Sequence, residues 1–210
     1  MAVKWKSEFT ALDEAKSTWP DSNNFYSGDS TWVFMQEVEV KILEVNRAQL
    51  KVVLDRLGAK KAFEGEIETF FFDFENGSII KAQDLLRLRR EESKIQLTYK
   101  KVNRTPTAKI AEEYSVEVSD LEKTRQILQF LGLSVTESMK KHRLSYALGS
   151  VRFDIDKYEG KYSYIPEFLE IEAENPASVH KHAKLLGFSD MDCLPWSTQD
   201  LITHYSSRRE

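Results

Sequence analysis

The sequence predicts an α+β domain: an antiparallel sheet of roughly eight strands with helices packed on its outer face. Three observations predict it. Many segments alternate charged and apolar residues with a period of two, the mark of strands with one buried face. Three times such a strand leads into a helical pattern ending in Leu-Gly, at Leu57-Gly58, Leu131-Gly132 and Leu186-Gly187. Hairpin signals join the remaining strands. The uneven spacing of the units excludes a solenoid.

Residues 1–33 read as an N-terminal extension, with 34–210 as the domain proper. The extension holds Trp5, Trp19 and Trp32 and a loop-like PDSNNFYSGDS. Its aromatic content points to packing, because free tails are usually aromatic-poor. The first strand covers 35–43, where Glu37, Glu39 and Lys41 alternate with Val38, Val40 and Ile42. Asn46 caps the helix RAQLKVVLDRL, and Gly58 stops it. A strand region at 62–74 ends in FFFDF, and NGSIIKAQD reads as turn and loop. LLRLRR (85–90) and KIQLTYKKV (94–102) form a hairpin around Glu91-Glu92-Ser93. TPTAK turns the chain into EEYSVEV (112–118), and a helix runs from Asp120 to Leu131. KKHRLSYAL (140–148) and SVRFDIDKY (150–158) flank Gly149 as a second hairpin. FLEIEAE (168–174) is the last strand. Asn175-Pro176 opens a helix with proline at its first position, and a final helix covers 197–206.

Composition narrows the function classes. The 210 residues are 41% apolar and 30% charged, with net charge −4 from 30 basic and 34 acidic side chains. A nucleic-acid polymer is not the expected partner, since domains that bind one are more often basic. The single cysteine, Cys193, can form no intramolecular disulfide, which fits a reducing compartment. In DMDCLPW it reads as a small buried hydrophobe rather than a nucleophile. The start, MAVKWKSEFTALDEAK, has no signal-peptide core. No run of about 18 apolar residues suggests a membrane span. The expectation is a cytoplasmic protein with no membrane partner.

The period-two rule groups the charges by face. Glu37, Glu39 and Lys41 share one; so do Arg87 and Arg89, Thr98 and Lys100, Glu113 and Glu117, and Lys141 and Arg143. Arg152, Asp154 and Asp156 share another, as do Glu170, Glu172 and Glu174. These faces either point to water or, if the sheet curls with its apolar side outward, converge inside. A converged interior of both signs is costly to keep dry and unliganded. It calls for a charged ligand and metal ions. Arginine and lysine suit polyphosphate, and carboxylates suit Mg2+ or Mn2+. His142 has the opposite parity to Lys141 and Arg143 and faces outward. His180 and His182 lie two apart on a helix and do not share a face, which argues against a zinc site.

The same segments resemble a known family. Glu37-Val38-Glu39-Val40-Lys41 has the ExExK signature of the CYTH superfamily, the triphosphate tunnel metalloenzymes, which include class IV adenylyl cyclases, thiamine triphosphatases and inorganic triphosphatases. FFFDF resembles its YFD segment, LLRLRR its LRxR strand, LTYKK its LTxK strand and KKHRLSY its KxR strand. FDIDKY and FLEIEAE resemble its late Asp strand and final ExE strand. The resemblance implies an eight-stranded antiparallel β-barrel, a tunnel holding a triphosphate. It implies metal-side acids at Glu37, Glu39, Glu113, Asp156, Glu170 and Glu172, with Mg2+ or Mn2+ as cofactor. It implies phosphate contacts at Lys41, Arg87, Arg89, Lys100, Lys141 and Arg143, with Lys41, Arg87 and Glu172 closest to the chemistry. One departure stands out: Ala111 lies where many members carry an arginine, with Lys109 as its substitute.

The expected activity is metal-dependent hydrolysis of a triphosphate such as tripolyphosphate, thiamine triphosphate or ATP. The runner-up is an adenylyl cyclase, and a third class is a non-catalytic polyphosphate binder. The many acids argue against a pure anion binder. The sequence leaves open monomer or homodimer.

Overall fold

The computed structural model describes residues 38–104 and 109–208, with the backbone path alone at 102–104 and 109–112. Glu37, residues 1–33 and most of the TPTAK turn lie outside the described residues. The strands are β1 (Val38–Ile42), β2 (Lys60–Phe74), β3 (Leu85–Glu91), β4 (Lys94–Arg104), β5 (Lys109–Val118), β6 (Leu133–Leu148), β7 (Val151–Tyr158) and β8 (Phe168–Ala173). The helices are α1 (Arg47–Arg56), α2 (Ser78–Lys81), α3 (Leu121–Phe130), α4 (Pro176–Leu185) and α5 (Thr198–Ser206). All eight strands form one antiparallel sheet in the order β1-β8-β7-β6-β2-β3-β4-β5.

The three strand-to-helix units form for the reasons the sequence gives. The side chains of Asn46, Asp120 and Asn175 each accept a backbone N–H in the first turn of α1, α3 and α4. Gly58, Gly132 and Gly187 follow these helices at φ +77°, +89° and +91°, a region that only glycine enters freely. The helices cover the apolar side. Leu50 and Leu54 of α1 and Val179 and Ala183 of α4 pack with Val40, Ile42, Leu144, Phe153, Ile155, Leu169 and Ile171. A second cluster joins Leu121 and Leu128 of α3 and Ile79 of α2 to Phe72, Leu88 and Leu133. Fully buried side chains such as Leu54 and Phe153 each contribute about 1.5–3 kcal/mol.

Two elements differ from expectation. β6 begins at Leu133 rather than 140. In its first part, LSVTESM, uncharged Ser134, Thr136 and Ser138 alternate with Leu133, Val135, Glu137 and Met139, so its lone charge falls among apolar residues and it lacks the charged face that marks the other strands. NGSIIKAQD contains the short helix α2 instead of a continuous loop. Asp73 organises it: one carboxylate oxygen accepts N–H bonds from Phe74 and Ile79 at 2.7 and 3.0 Å, the other from Ile80 at 3.0 Å. Burial works to raise this carboxyl's pKa, but the backbone donors hold it below the usual range. The capping acid stands several residues upstream, beyond ordinary N-cap spacing.

β1 and β5 are the sheet's edges, and the sheet curls. Arg87 on β3 interacts electrostatically with Glu39 on β1, and Arg89 with Glu170 on β8. In a flat sheet, five strand spacings would hold Arg87 and Glu39 about 24 Å apart. The charged face is therefore the concave one. At one end, Tyr158 and Phe168 have concave-face parity and pack with Leu201 and Tyr205 of α5, which covers that end.

Candidate functional site: a charged concave face

The register sets out the concave face strand by strand. Glu39 lies opposite Glu172, and Lys41 opposite Glu170. Across the next ladder Glu172 faces Arg152, Glu170 faces Asp154 and Phe168 faces Asp156. Asp156 then faces Arg143 and Tyr158 faces Lys141. Thr69 faces Arg89 and Phe71 faces Arg87. Arg87 faces Thr98, which faces Ser115, while Lys100 faces Glu113. Every described residue named above as a site candidate falls on this face. His142 does not; it meets Arg47 of α1 at 3.2 Å on the helix side. His180 pairs with Asp190 at 2.9 Å, whereas His182 bonds the Ser178 carbonyl at 2.7 Å. Cys193 is buried beside α4, and burial pushes its thiol up.

One wall, from β1, β8, β7 and β6, is an interlocked ion network. Lys41, Lys141, Arg143, Asp154 and Asp156 are 3%, 6%, 5%, 2% and 0% exposed. Lys41 pairs with Glu39 and, at 2.9 Å, with Glu170. Lys141 donates to Asp156 at 2.5 Å. Arg143 gives Nε to Asp156 at 2.7 Å, Nη1 to Asp154, and Nη2 to both Asp156 and Glu170 at 2.5 Å. Four of its five N–H donors are thereby spent inside the protein. Arg152 completes the set, reaching Asp154 at 3.0 Å and Glu172.

The electrostatics follow from this packing. Burial opposes charge on Glu170, yet Lys141, Lys41 and Arg143 hold its carboxyl well below the usual range. Burial also opposes charge on Arg143, but Asp156, Glu170 and Asp154 raise it well above the ordinary value. Lys41 is raised in spite of its burial, through Glu170 and Glu39. Lys141 goes the other way, because burial and the Arg143 guanidinium outweigh Asp156.

The other wall, from β3, β4 and β5, is under-neutralised. Arg87 reaches Glu113 only at 3.5 Å, while Lys100 takes that carboxylate at 2.5 Å. The Nε atoms of Arg87 and Arg89 are buried without a hydrogen-bond partner. Burial and Arg89 push Arg87 down to about 10. Burial and Arg143 lower Arg89 as well. Two half-buried guanidiniums side by side, each with an open Nε donor, favour an anion between them.

Asp154 and Arg152 were placed on this face by parity but left out of the candidate set. The signal was present in RFDID, where both alternate with Asp156. The Oδ1 of Asp154 is buried without a partner. Oxygen donors at the open end, chiefly Glu39 and Glu172, are of the kind Mg2+ and Mn2+ take. Among the described residues no three such side chains already converge as a metal cage. Each carboxylate leans on a cation instead.

A family model, the CYTH domain, matches residues 35–186. The chain belongs to the CYTH domain family. It is 30% identical over 138 residues to a Methanocaldococcus jannaschii protein named "putative adenylate cyclase", covering 66% of this chain and 77% of that one. A solved Pyrococcus horikoshii structure superposes with TM-score 0.64 at 29% identity, over 79% of this chain and 98% of that one. A Hippeastrum protein, described as a "putative adenylyl cyclase" that reveals a dominant triphosphatase activity, shares the fold at TM-score 0.54 and 16% identity, over 73% and 89% of the two chains. The curled CYTH sheet is thus the fold that the sequence pattern implied. No helix among the described residues is long and apolar enough to cross a membrane.

Proposed function

We propose that this CYTH protein hydrolyses a triphosphate to diphosphate and phosphate in its concave face, with Mg2+ or Mn2+ as cofactor. The observation that carries the reading is the half-buried Arg87–Arg89 pair, whose buried Nε atoms have no hydrogen-bond partner among the described residues, facing a wall of carboxylates. Arg87 and Arg89 hold phosphate oxygens through their planar forks, and Lys41 and Lys100 add point charges. Lys141 and Arg143 sit deeper, and the fixed charge of their network orients the chain of phosphates. Asp156 has both oxygens taken by Lys141 and Arg143, so it positions these two cations.

Glu39 and Glu172, with Glu37, Glu113 and Glu170, are the residues that would hold the metal. The unpaired buried oxygen at Asp154 and the all-oxygen donor set fit a hard divalent ion. When bound, the ion supplies charge neutralisation on phosphate oxygens and a more acidic water. A water oxygen bonds to the terminal phosphorus as the bridging P–O bond breaks. Glu172 accepts the water's proton, and Arg87 and Lys41 meet the charge that grows on the departing diphosphate.

A second reading rests on the 30% identical relative with a cyclase name. There the ribose 3′-hydroxyl of ATP attacks the α-phosphorus and pyrophosphate leaves. One assay separates the two. The protein is incubated with tripolyphosphate, thiamine triphosphate or ATP, with Mg2+ or Mn2+. Phosphate release is expected; cyclic AMP with pyrophosphate supports the cyclase, and binding without turnover overturns both.

A further inference from the structure

We propose that Arg152 is a built-in placeholder for the metal ion, and that Asp154 is one of the carboxylates it guards. The inference rests on the metal-dependent reading above. Four cations touch the acid wall. Lys41, Lys141 and Arg143 are buried, at 3%, 6% and 5% exposure. The Arg152 side chain is 48% exposed, at the end of the face away from α5. It alone of the four already reaches water, and if it leaves, Arg143 still pairs Asp154 Oδ2.

Two of its contacts are to oxygens a divalent ion would take. Nε donates to Asp154 Oδ2 at 3.0 Å, and Nη2 donates to Glu172 Oε2. Glu39 stands directly across the ladder from Glu172. Asp154 is 2% exposed, and its Oδ1 has no hydrogen-bond partner among the described residues. A buried carboxylate oxygen left open is expensive, and the Arg143 and Arg152 bonds to Oδ2 do not relieve it. When Arg152 swings out, Glu172 and Asp154 lose one shared counter-charge together. Three carboxylates, Glu39, Glu172 and Asp154, then face a position that a doubly charged ion fills better than one guanidinium. Ion pairs that reach solvent are weak, so the exchange costs little. Arg152 therefore brings the five acids of this wall, Glu39, Glu170, Glu172, Asp154 and Asp156, to within one formal charge of balance, and sets how much metal is needed to load it.

The test is calorimetric titration of the full chain with Mn2+ alone, with no triphosphate present. Arg152→Gln is expected to bind Mn2+ about tenfold more tightly than wild type, because the ion no longer competes with a tethered cation. Adding Asp154→Asn to that variant should remove the gain. Wild-type protein gives a readout that needs no variant: on Mg2+ titration the Nε–H resonance of Arg152 should shift while that of Arg143 stays. Equal or weaker Mn2+ binding by Arg152→Gln overturns the proposal, as does an unmoved Arg152 resonance at saturating Mg2+. Metal-dependent turnover alongside either result leaves the triphosphatase reading standing. Wild-type protein that neither binds Mn2+ nor turns over any triphosphate removes both.

Discussion

Arg143 on β6 donates to Asp154, Asp156 and Glu170, while Arg87 and Arg89 on β3 each keep a buried Nε with no acceptor. These are the same side chain on the same concave face, and the environment splits them. Acidic neighbours raise Arg143 well above its ordinary value, whereas burial and fellow arginines lower Arg87 and Arg89. One wall has its counter-charges built in. The other has too few, Glu113 being shared by Lys100 and Arg87, and in a low-dielectric setting the proposed polyanion would make up that deficit. The fold neutralises the first wall by itself and leaves the second with cations to spare.

The comparison breaks most visibly if the acids are dispensable. Glu172→Gln and Glu37→Gln are each expected to lower turnover by about a thousandfold, the scale of a lost charge-stabilising group. Circular dichroism should show the fold retained. Near wild-type rates in both would sink the assignment of acids to metal and proton transfer.

The next effect concerns stability and contrasts the two kinds of arginine directly. Arg143→Ala leaves Asp154, Asp156 and Glu170 short of a buried partner, and should cost about 3–5 kcal/mol in denaturant unfolding. Arg89→Ala removes a repelled cation and should leave unliganded stability unchanged or higher. Its cost appears in binding, with tripolyphosphate affinity falling about 10–100-fold. Equal destabilisation by both substitutions would mean that the walls are not different in kind.

A further, smaller effect lies in pH. The folded state holds Glu170 below the usual carboxylate range, chiefly through Lys141 and Lys41 acting against burial. The unfolded chain therefore takes up this proton first as pH falls. The stabilisation is whole above the ordinary carboxylate pKa and is lost as pH drops through the folded value. Urea unfolding followed from neutral to acid pH should show this loss, and Glu170→Gln should flatten it.

Much of this was legible in the sequence, for a physical reason. A strand buried on one face must alternate, so parity alone placed Glu39, Lys41, Arg87, Arg143 and Glu172 on one surface. Asn46, Asp120 and Asn175 announced three helices because a cap acts through its nearest N–H groups. What parity does not carry is pairing. That Arg143 is saturated and Arg89 open depends on which strands neighbour β6 and β3, a long-range fact. Arg152 and Asp154 had the right alternation, but only the ladder with β8 shows that Arg152 meets Glu172 and Asp154 meets Glu170. The start of β6 was missed because Ser134, Thr136 and Ser138 carry no charge to mark a face.

The smallest expected effect is a control outside both walls. The Asn46 side chain accepts the Gln49 N–H at 3.0 Å and starts α1 on the convex side. Asn46→Ala should cost about 1 kcal/mol, the usual worth of such a cap. For a chain of this size that lowers the melting temperature by about 2–4 °C. Tripolyphosphate affinity and turnover should not change, since α1 touches the apolar side of β1 and the proposed phosphate contacts lie on the other. Differential scanning calorimetry and a KM measurement on one preparation test both halves. A shift in KM as large as that of Arg89→Ala would show that β1 transmits its outer packing to Lys41, and that the two faces of the sheet are not independent.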